Sequence, residues 1–350
     1  MSFRLYESWK DSAYNCTNYL YKDENNHVII YTHKLGSNEC GIRVMLKGGV
    51  LYEEQCDVPL GTAHFLEHML CRPNEILKTQ DEIDKFCFGT RNNPAIYTFA
   101  YTSDEYLCFG VDTHVSGYKR AVDYLSYQLS YPVDMFSKFI DEERDIILSE
   151  WGRYPKDKKS EKLEFKKFIL DGKYRRYYKR ALGNKMSIQS IQTSDLIKYW
   201  NYVRSGNSVV VIVQSSNKPN KDLLGELSGL FNFTLNRKFE GTLRHQNLKN
   251  RFKVGYYKDD KLQNIVLNIG ILVPRKHIKK YKHDDYKKMM LHTLSLRVLN
   301  FLLHKRLRDD NHLVYEVQSF NSYLTRDWDT IVFNPQIRFF FGNFTLNETN

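Results

Sequence analysis

Apolar and polar residues alternate in short runs along the chain, and turn residues separate these runs. A period of two with many β-branched side chains is typical of half-buried strands. Such runs predict strands at residues 27–32, 40–46, 91–102, 105–111, 207–213, 263–273 and 313–324. Pro94 lies in the third run, and because proline cannot donate a backbone hydrogen bond, we expect that strand at a sheet edge.

The spacing of apolar residues changes to a helical period between these runs. Segments with apolar residues three and four positions apart predict helices. These segments are residues 60–70, 81–86, 116–129, 136–151, 156–170 and 286–307. Because the order of strands and helices before residue 235 recurs in shorter form after residue 252, we expect two related units.

The composition is that of a soluble globular protein that is long enough for two domains. Of its 350 residues, 42% are hydrophobic and 27% are charged. No run approaches the ~18 consecutive apolar residues of a membrane helix. The first ten residues carry charges where a signal peptide has its apolar core. We therefore expect a cytoplasmic protein without a membrane span.

The net charge of +11 raises the question of a nucleic-acid partner. The basic residues are dispersed, with local runs at 156–167, 173–180 and 275–282. No recognisable nucleic-acid module accompanies them, so a solvated basic surface is the preferred interpretation, without a dedicated nucleic-acid partner. A nucleic-acid-associated protein would instead bind with steep salt dependence.

The segment from Leu60 to Leu70 contains the pattern His-x-x-Glu-His. In a helix, at about 100° per residue, His64, Glu67 and His68 share one arc and the apolar residues fill another. Histidines at i and i+4 can bind one zinc ion, and the glutamate can reach a water at its open position. This order of residues is the inverzincin signature. The alternative is an amphipathic helix with partly exposed polar side chains, and the pattern alone leaves both interpretations open.

A catalytic zinc ion takes three protein ligands and a water, so a third ligand is needed. Glu143 and Glu150 are two helical turns apart and share a face of the helix predicted at 136–151. Glu150 could bind the metal, while Glu143 could accept a ring N–H from His64 or His68. The alternative is that both glutamates are solvated charges paired with nearby arginines.

The two motifs GTAHFLEHML and EERDIILSEW, taken together, resemble the pitrilysin, insulinase and mitochondrial processing peptidase family of zinc endopeptidases. The resemblance implies that His64, His68 and Glu150 bind one Zn²⁺ per chain. It also implies that Glu67 is the general base and that Glu143 is a supporting carboxylate of the catalytic site.

The resemblance covers residues from about 25 to 235 and implies a fold. The expected class is α+β, with two tandem related α/β-sandwich domains, mostly antiparallel sheets and helices packed on them. We expect an N-terminal extension at 1–24, a zinc-peptidase catalytic domain at 25–235, a linker at 236–251 and a second, incomplete domain of the same type at 252–350.

The resemblance also implies substrate contacts and partners. Asn93 and Ala95 resemble part of the family's edge strand, to which the substrate adds as a further strand. Arg308 and Tyr315 resemble the family's arginine and tyrosine pair, which contacts the substrate near the scissile bond. The implied partners are a peptide or small unfolded protein as substrate and, for the chain itself, a homodimer or a heterodimer with a related half.

These inferences favour a zinc-dependent metalloendopeptidase that hydrolyses peptides. The alternative function is a non-catalytic peptide-binding or assembly subunit of a peptidase-like complex, which the short second domain favours. The complete set of three ligands and a base argues against this alternative, because a site without catalytic activity does not require all three metal ligands and the general base.

Overall fold

The alternating runs of the sequence form strands, and the runs of helical period form helices. The structure is a computed structural model that describes residues 2–12, 14–153, 161–170, 181–205, 209–235, 237, 239–241, 248, 265–266, 269–274, 283–312, 314–325 and 328–337. The chain divides into two units: the first contains residues 1–157 and 179–243, and the second contains residues 158–178 and 244–350.

Seven strands among the described residues form the sheet of the first unit. They are β1 (Arg4–Asp11), β2 (Cys16–Lys22), β3 (Val28–Lys34), β4 (Glu39–Lys47), β5 (Ile96–Thr102), β6 (Tyr106–His114) and β7 (Val209–Ser215). Their order across the sheet is β1-β2-β3-β7-β4-β6-β5. Neighbouring strands are antiparallel except β3 and β7, which run parallel. The sheet is therefore mostly antiparallel, with β1 and β5 at its edges.

The first residues of the chain belong to this sheet, which differs from the predicted extension at 1–24. Strand β2 pairs with β3 from Cys16 opposite Lys34 to Lys22 opposite Val28, and β1 pairs with β2. The sequence pattern indicated β1 poorly because β1 is an edge strand with mostly exposed side chains.

The second boundary also differs from the prediction. Residues 158–178, predicted as part of the catalytic domain at 25–235, group with the second unit. Most of the linker predicted at 236–251 lies outside the described residues. The predicted boundaries of the catalytic domain, the linker and the second domain therefore stay predictions.

The described helices include one within or over each of the six predicted segments. They are α1 (Val50–Glu53), α2 (Thr62–Leu70), α3 (Gln80–Cys87), α4 (Tyr118–Leu129), α5 (Phe136–Arg153), α6 (Glu161–Ile169), α7 (Lys185–Ser190), α8 (Thr193–Val203), α9 (Lys221–Gly229) and α10 (His283–Leu303). Helices α6 and α10 belong to the second unit and the others to the first. No described helix combines the length and the apolar character that crossing a membrane requires.

The core of the first unit contains the apolar side of α2. Phe65, Leu66, Met69 and Leu70 are fully buried in the same cluster as the inward-facing side chains of β3, β4, β6 and β7. Each of these side chains contributes about 1.5–3 kcal/mol by leaving water. Helix α2 also packs against α5, α8 and β5, so its orientation is fixed from several directions.

Two features determine where α2 begins. Gly61 has a φ of 96°, and a Cβ at this position would lie 2.8 Å from the carbonyl oxygen of Leu182, so only glycine fits there. The buried carboxylate of Glu53 accepts hydrogen bonds from the backbone N–H groups of Gly61 (3.0 Å) and Ala63 (2.9 Å). A negative charge at the N-terminus of a helix also stabilises the helix dipole.

The second unit has its own antiparallel sheet. Its described strands are β8 (Ile265–Val266), β9 (Ile269–Pro274), β10 (Val314–Thr325) and β11 (Trp328–Ile337). Strand β11 pairs with β10, β8 and β9, and α10 packs against β10. The predicted α+β class, with mostly antiparallel sheets and helices packed on them, is confirmed.

Replacing Glu53 by alanine tests its role at the start of α2. Glu53→Ala removes a buried, charged hydrogen-bond acceptor, so the free energy of unfolding should fall by about 1.5–3 kcal/mol. Urea denaturation followed by circular dichroism measures this change. Glu75→Ala, at an exposed position of the same unit, is the control and should change stability by less than about 0.5 kcal/mol. Equal stability of the Glu53→Ala and wild-type proteins would contradict the proposed anchoring.

Candidate metal centre

Helix α2 presents two histidines and a glutamate on the side opposite its buried apolar residues. The rings of His64 and His68, one helical turn apart, have centroids separated by 4.6 Å. Glu67 lies between them in the sequence and is only 8% exposed. The side-chain arrangement predicted from the spacing of these three residues is therefore present.

Helix α5 supplies the two carboxylates that face α2. Its buried residues recur every three or four positions, at Phe136, Ile140, Glu143 and Ile147, and Glu150 continues this row towards the surface. The side chain of Glu143 is 5% exposed, whereas that of Glu150 is 33% exposed. One carboxylate is thus enclosed by protein and the other lies at the rim.

Three side chains bring potential ligand atoms together. The Oε2 atom of Glu150 lies 3.9 Å from Nε2 of His64 and 3.7 Å from Nε2 of His68. One potential ligand atom of each residue lies within 4.8 Å of the other two. A tetrahedral ion with bonds of ~2.0–2.1 Å has ligands about 3.4 Å apart, so a small contraction of this group would enclose zinc.

The state of His64 suits a metal ligand. Burial, together with the neighbouring His68, lowers the pKa of His64 to about 4, so its imidazole is neutral at pH 7. A neutral imidazole has a lone pair for a metal. Among the described residues, the buried Nδ1 of His64 has no hydrogen-bond partner, so no protein contact fixes the orientation of this ring through that nitrogen.

The ring of His68 is held more firmly. Its Nδ1 lies 2.7 Å from Oε1 of Glu143, so that this N–H donates to the carboxylate and Nε2 is directed towards Glu150. Burial alone lowers the pKa of His68, but the hydrogen bond and the charges of Glu143, Glu67 and Glu150 together raise it. Of the two histidines considered in the sequence, His68 is the one that Glu143 contacts.

Glu67 is buried beside these groups and has one fixed oxygen. The hydroxyl of Thr102, the last residue of β5, donates a 2.6 Å hydrogen bond to its Oε2. Burial raises the pKa of Glu67, although the Thr102 hydrogen bond opposes this rise. A carboxylate with a raised pKa accepts a proton more readily at neutral pH.

The structure adds two residues that sequence reasoning missed. One is Thr102, which lies far from Glu67 along the chain. The other is Arg72, whose Nε lies 2.7 Å from Oε2 of Glu143. Arg72 follows His68 by four residues, so the helical period that identified the histidines was also the available signal for this arginine.

Two predicted substrate contacts lie at the start of β5. Asn93 precedes the strand, and the carbonyl of Ala95 accepts a hydrogen bond from the Thr113 hydroxyl. Thr102, which contacts Glu67, lies at the other end of β5, about 20 Å away at ~3.3 Å per residue. The strand begins at Ile96, so that Pro94 lies outside it. The roles of Asn93 and Ala95 stay predictions.

The other two predicted substrate contacts lie in the second unit. Arg308 is exposed in a π-helical turn, His304–Asp309, and its Nη1 lies 2.9 Å from Nε2 of His304. Tyr315 lies in β10, but its side chain lies outside the part of the chain that the structure describes. Their contact with a substrate also stays a prediction.

Comparisons with known proteins agree with this arrangement. Residues 28–171 match the family described as Insulinase (Peptidase family M16). No curated protein sequence matches the chain.

Solved structures show the same fold. The first half of the periplasmic protease PqqL from Escherichia coli is 15% identical, with a TM-score of 0.68 over 95% of this chain and 70% of that one. Pitrilysin is 14% identical, with a TM-score of 0.67 over 96% and 35%. A peptidase M16 inactive domain from Pseudomonas fluorescens is 14% identical, with a TM-score of 0.69 over 92% and 74%. The chain covers 36% of full PqqL, so it spans about a third of the length of the full-length relatives.

The family match and the candidate metal centre concern the same part of the chain. His64, Glu67, His68, Glu143 and Glu150 all fall within the matched residues 28–171. The helix with the two histidines and the helix with the two glutamates therefore both lie within the segment that matches this family. Between residues 28 and 171 the chain matches the insulinase family of peptidases, and its fold is that of the solved structures compared above.

Proposed function

We propose that the protein is a zinc-dependent metalloendopeptidase with one metal site per chain. The observation that supports this most directly is the convergence of His64, His68 and Glu150 beside the buried carboxylate of Glu67. Zinc bound by these residues would lower the pKa of a water to ~7 and polarise the scissile carbonyl. The protein's own contribution is to hold the three ligands and to move the proton.

Glu67 moves the proton in this proposal. Its carboxylate takes a proton from the attacking water and then gives it to the nitrogen of the leaving amine. The Thr102 hydroxyl, which donates to Oε2, holds the carboxylate in one orientation during both transfers. The raised pKa of Glu67 fits a group that must accept and then release a proton.

His68 and Glu143 have supporting parts in the same proposal. Glu143 accepts the Nδ1 proton of His68, which leaves the Nε2 lone pair for the metal. This assigns a fixed tautomer to His68 without any contribution from the substrate. Glu143 therefore supports the site without touching a substrate.

We propose that the substrate is a peptide or a small unfolded protein that binds as an added strand along β5. This strand is an edge of the sheet, with no further strand on its outer side among the described residues. Its final residue contacts Glu67, so a chain paired with β5 would pass the proposed catalytic carboxylate. Contacts from Arg308 and Tyr315, and a homodimer or a heterodimer with a related half, are further parts of this proposal.

A non-catalytic peptide-binding subunit is the second candidate function. The observation that favours it is the similarity of fold to the Pseudomonas fluorescens domain described as inactive. The presence here of all three potential ligands and of Glu67 favours the peptidase. A subunit of this kind would bind peptides and leave them intact.

Incubation of the purified protein with a mixed peptide pool tests the proposed activity. Mass spectrometry should detect new fragments with the wild type, and Glu67→Gln should lower their rate of formation by about 10²–10⁴-fold, the contribution of a general base. Zinc content and folding should be retained in this variant. Undiminished cleavage by Glu67→Gln would contradict the mechanism, and intact peptides with the zinc-loaded wild type would favour the binding subunit.

Removal of one ligand at a time tests the metal site. His68→Ala and Glu150→Gln should each lose most of the bound zinc, because two remaining ligands hold the ion weakly. Metal analysis after dialysis against zinc-free buffer measures the content per chain, and Asp145→Asn, at an exposed position of α5, is the control. A full zinc content in both ligand variants would place the metal elsewhere.

Replacing Thr102 by valine tests how Glu67 is oriented. Valine keeps the shape but removes the hydroxyl donor, and a charged hydrogen bond of about 1.5 kcal/mol corresponds to roughly a tenfold change in rate. We expect kcat to fall by about this factor with zinc content unchanged. Thr98→Val, four residues earlier on the same face of β5, should have little effect. Equal rates for Thr102→Val and wild type would contradict this role.

A further inference from the structure

Arg72 follows the last residue of α2 by two positions, and its side chain reaches across to α5. Its Nε is 2.7 Å from Oε2 of Glu143, and its Nη2 is 2.6 Å from Oε1 of Glu142. The guanidinium also lies over the ring of Phe139, 5.3 Å from its centroid. With a side chain only 16% exposed, Arg72 is a constituent of the interface between the two helices that carry the candidate ligands.

Glu143 is shared between Arg72 and His68. One oxygen, Oε1, accepts from His68, and the other, Oε2, contacts Arg72. The carboxylate is thus held at both oxygens, and its position along the line from Arg72 to His68 is fixed. A shift of Glu143 would move or release the ring whose Nε2 faces Glu150.

The charge around the site supports the same connection. Three carboxylates, those of Glu67, Glu143 and Glu150, lie close to two histidines that the metal requires in neutral form. A zinc ion would contribute two positive charges, and the guanidinium of Arg72 adds one beside the most buried of the three carboxylates, although it is shared with the exposed Glu142. A buried carboxylate that loses its partner costs several kcal/mol, which shows why a cation is needed at this place.

We infer that Arg72 is a positioning residue for the metal centre, which acts through Glu143 on His68 and thereby strengthens zinc binding. The inference rests on the proposed metal site at His64, His68 and Glu150. Among the described residues, the side chain of Arg72 contacts Glu142, Glu143 and Phe139 and none of the candidate ligands, so its effect is indirect. It should be visible in metal affinity, whether or not a peptide is cleaved.

The contact geometry indicates that charge matters more than the shape of the guanidinium. The Nε and Nη2 atoms of Arg72 lie at ion-pair distance from the two glutamates without the alignment of a hydrogen bond. A lysine at this position keeps the charge but lacks the planar fork. We therefore expect lysine to preserve most of the effect and an uncharged side chain of similar length to lose it.

Zinc affinity measured by competition with a chromogenic chelator tests the inference on the full chain. Arg72→Met should weaken zinc binding by about 10–100-fold, the usual effect of losing a group that supports a ligand. Arg72→Lys should lose less than about tenfold. If the wild type binds zinc and Arg72→Met binds it with the same affinity, the role of Arg72 is overturned but the metal site is not. If the wild type binds no zinc, both the metal site and the role of Arg72 are overturned.

Arg144 provides the matched control. It also lies on the interface of α5 and α2, with a side chain 14% exposed and its guanidinium 5.6 Å from the ring of Phe65. Its Nη1 donates to the carbonyl of Ile188 at 2.6 Å and has no contact with Glu143. Arg144→Met should therefore leave zinc affinity unchanged. An equal loss in both variants would overturn the inference, because it would indicate a general loosening of the helix pair.

A double-mutant cycle shows whether Arg72 acts through Glu143. If it does, Arg72→Met should weaken zinc binding by less than about twofold in a Glu143→Gln background, because the connection is already broken. If the fold-loss of zinc affinity in the double variant equals the product of the losses in the two single variants, the proposed route through Glu143 is overturned. Unfolding of the metal-free proteins in urea identifies any variant that fails to fold, and in that case the uncharged Arg72→Gln takes the place of Arg72→Met in the cycle.

Discussion

The burial of one side of α2 is the constraint on which the site depends. This nine-residue helix places Phe65, Leu66, Met69 and Leu70 wholly inside the core. A rotation about its axis would bring several of these side chains into water, at about 1.5–3 kcal/mol for each. The buried apolar residues of α2 therefore determine the direction in which the side chains of His64 and His68 point. Both histidines belong to the helix itself, so their positions do not depend on the ordering of a loop.

Three carboxylates serve one site in three different environments. Glu67 is buried, which raises its pKa, and the hydrogen bond from the Thr102 hydroxyl opposes this rise. Glu143 is enclosed between a histidine and an arginine. Glu150 lies at the rim, a third exposed, where a ligand can adjust its position. The same functional group can thus act as a proton acceptor, a support or a ligand according to its surroundings.

Local periodicity explains which parts of this picture the sequence could predict. The spacings of four within α2 and seven within α5 place His64 and His68 on one helix face and Glu143 and Glu150 on another, and the family resemblance then joins the two helices. The contact of Thr102 with Glu67 depends on the position at which β5 ends beside α2, which no local pattern determines. The pairing of β1 and β2 was also missed, because a solvent-exposed edge strand has little apolar alternation to reveal it.

Strand β7 has a consequence for how the protein reaches this structure during synthesis. It lies between β3 and β4, which follow each other directly in the chain, and it pairs with both. All the candidate zinc ligands leave the ribosome before Val209, yet the middle of the sheet behind them stays open until β7 arrives. Contacts between such distant segments slow folding. The first unit therefore completes its sheet late, after β7 has been translated.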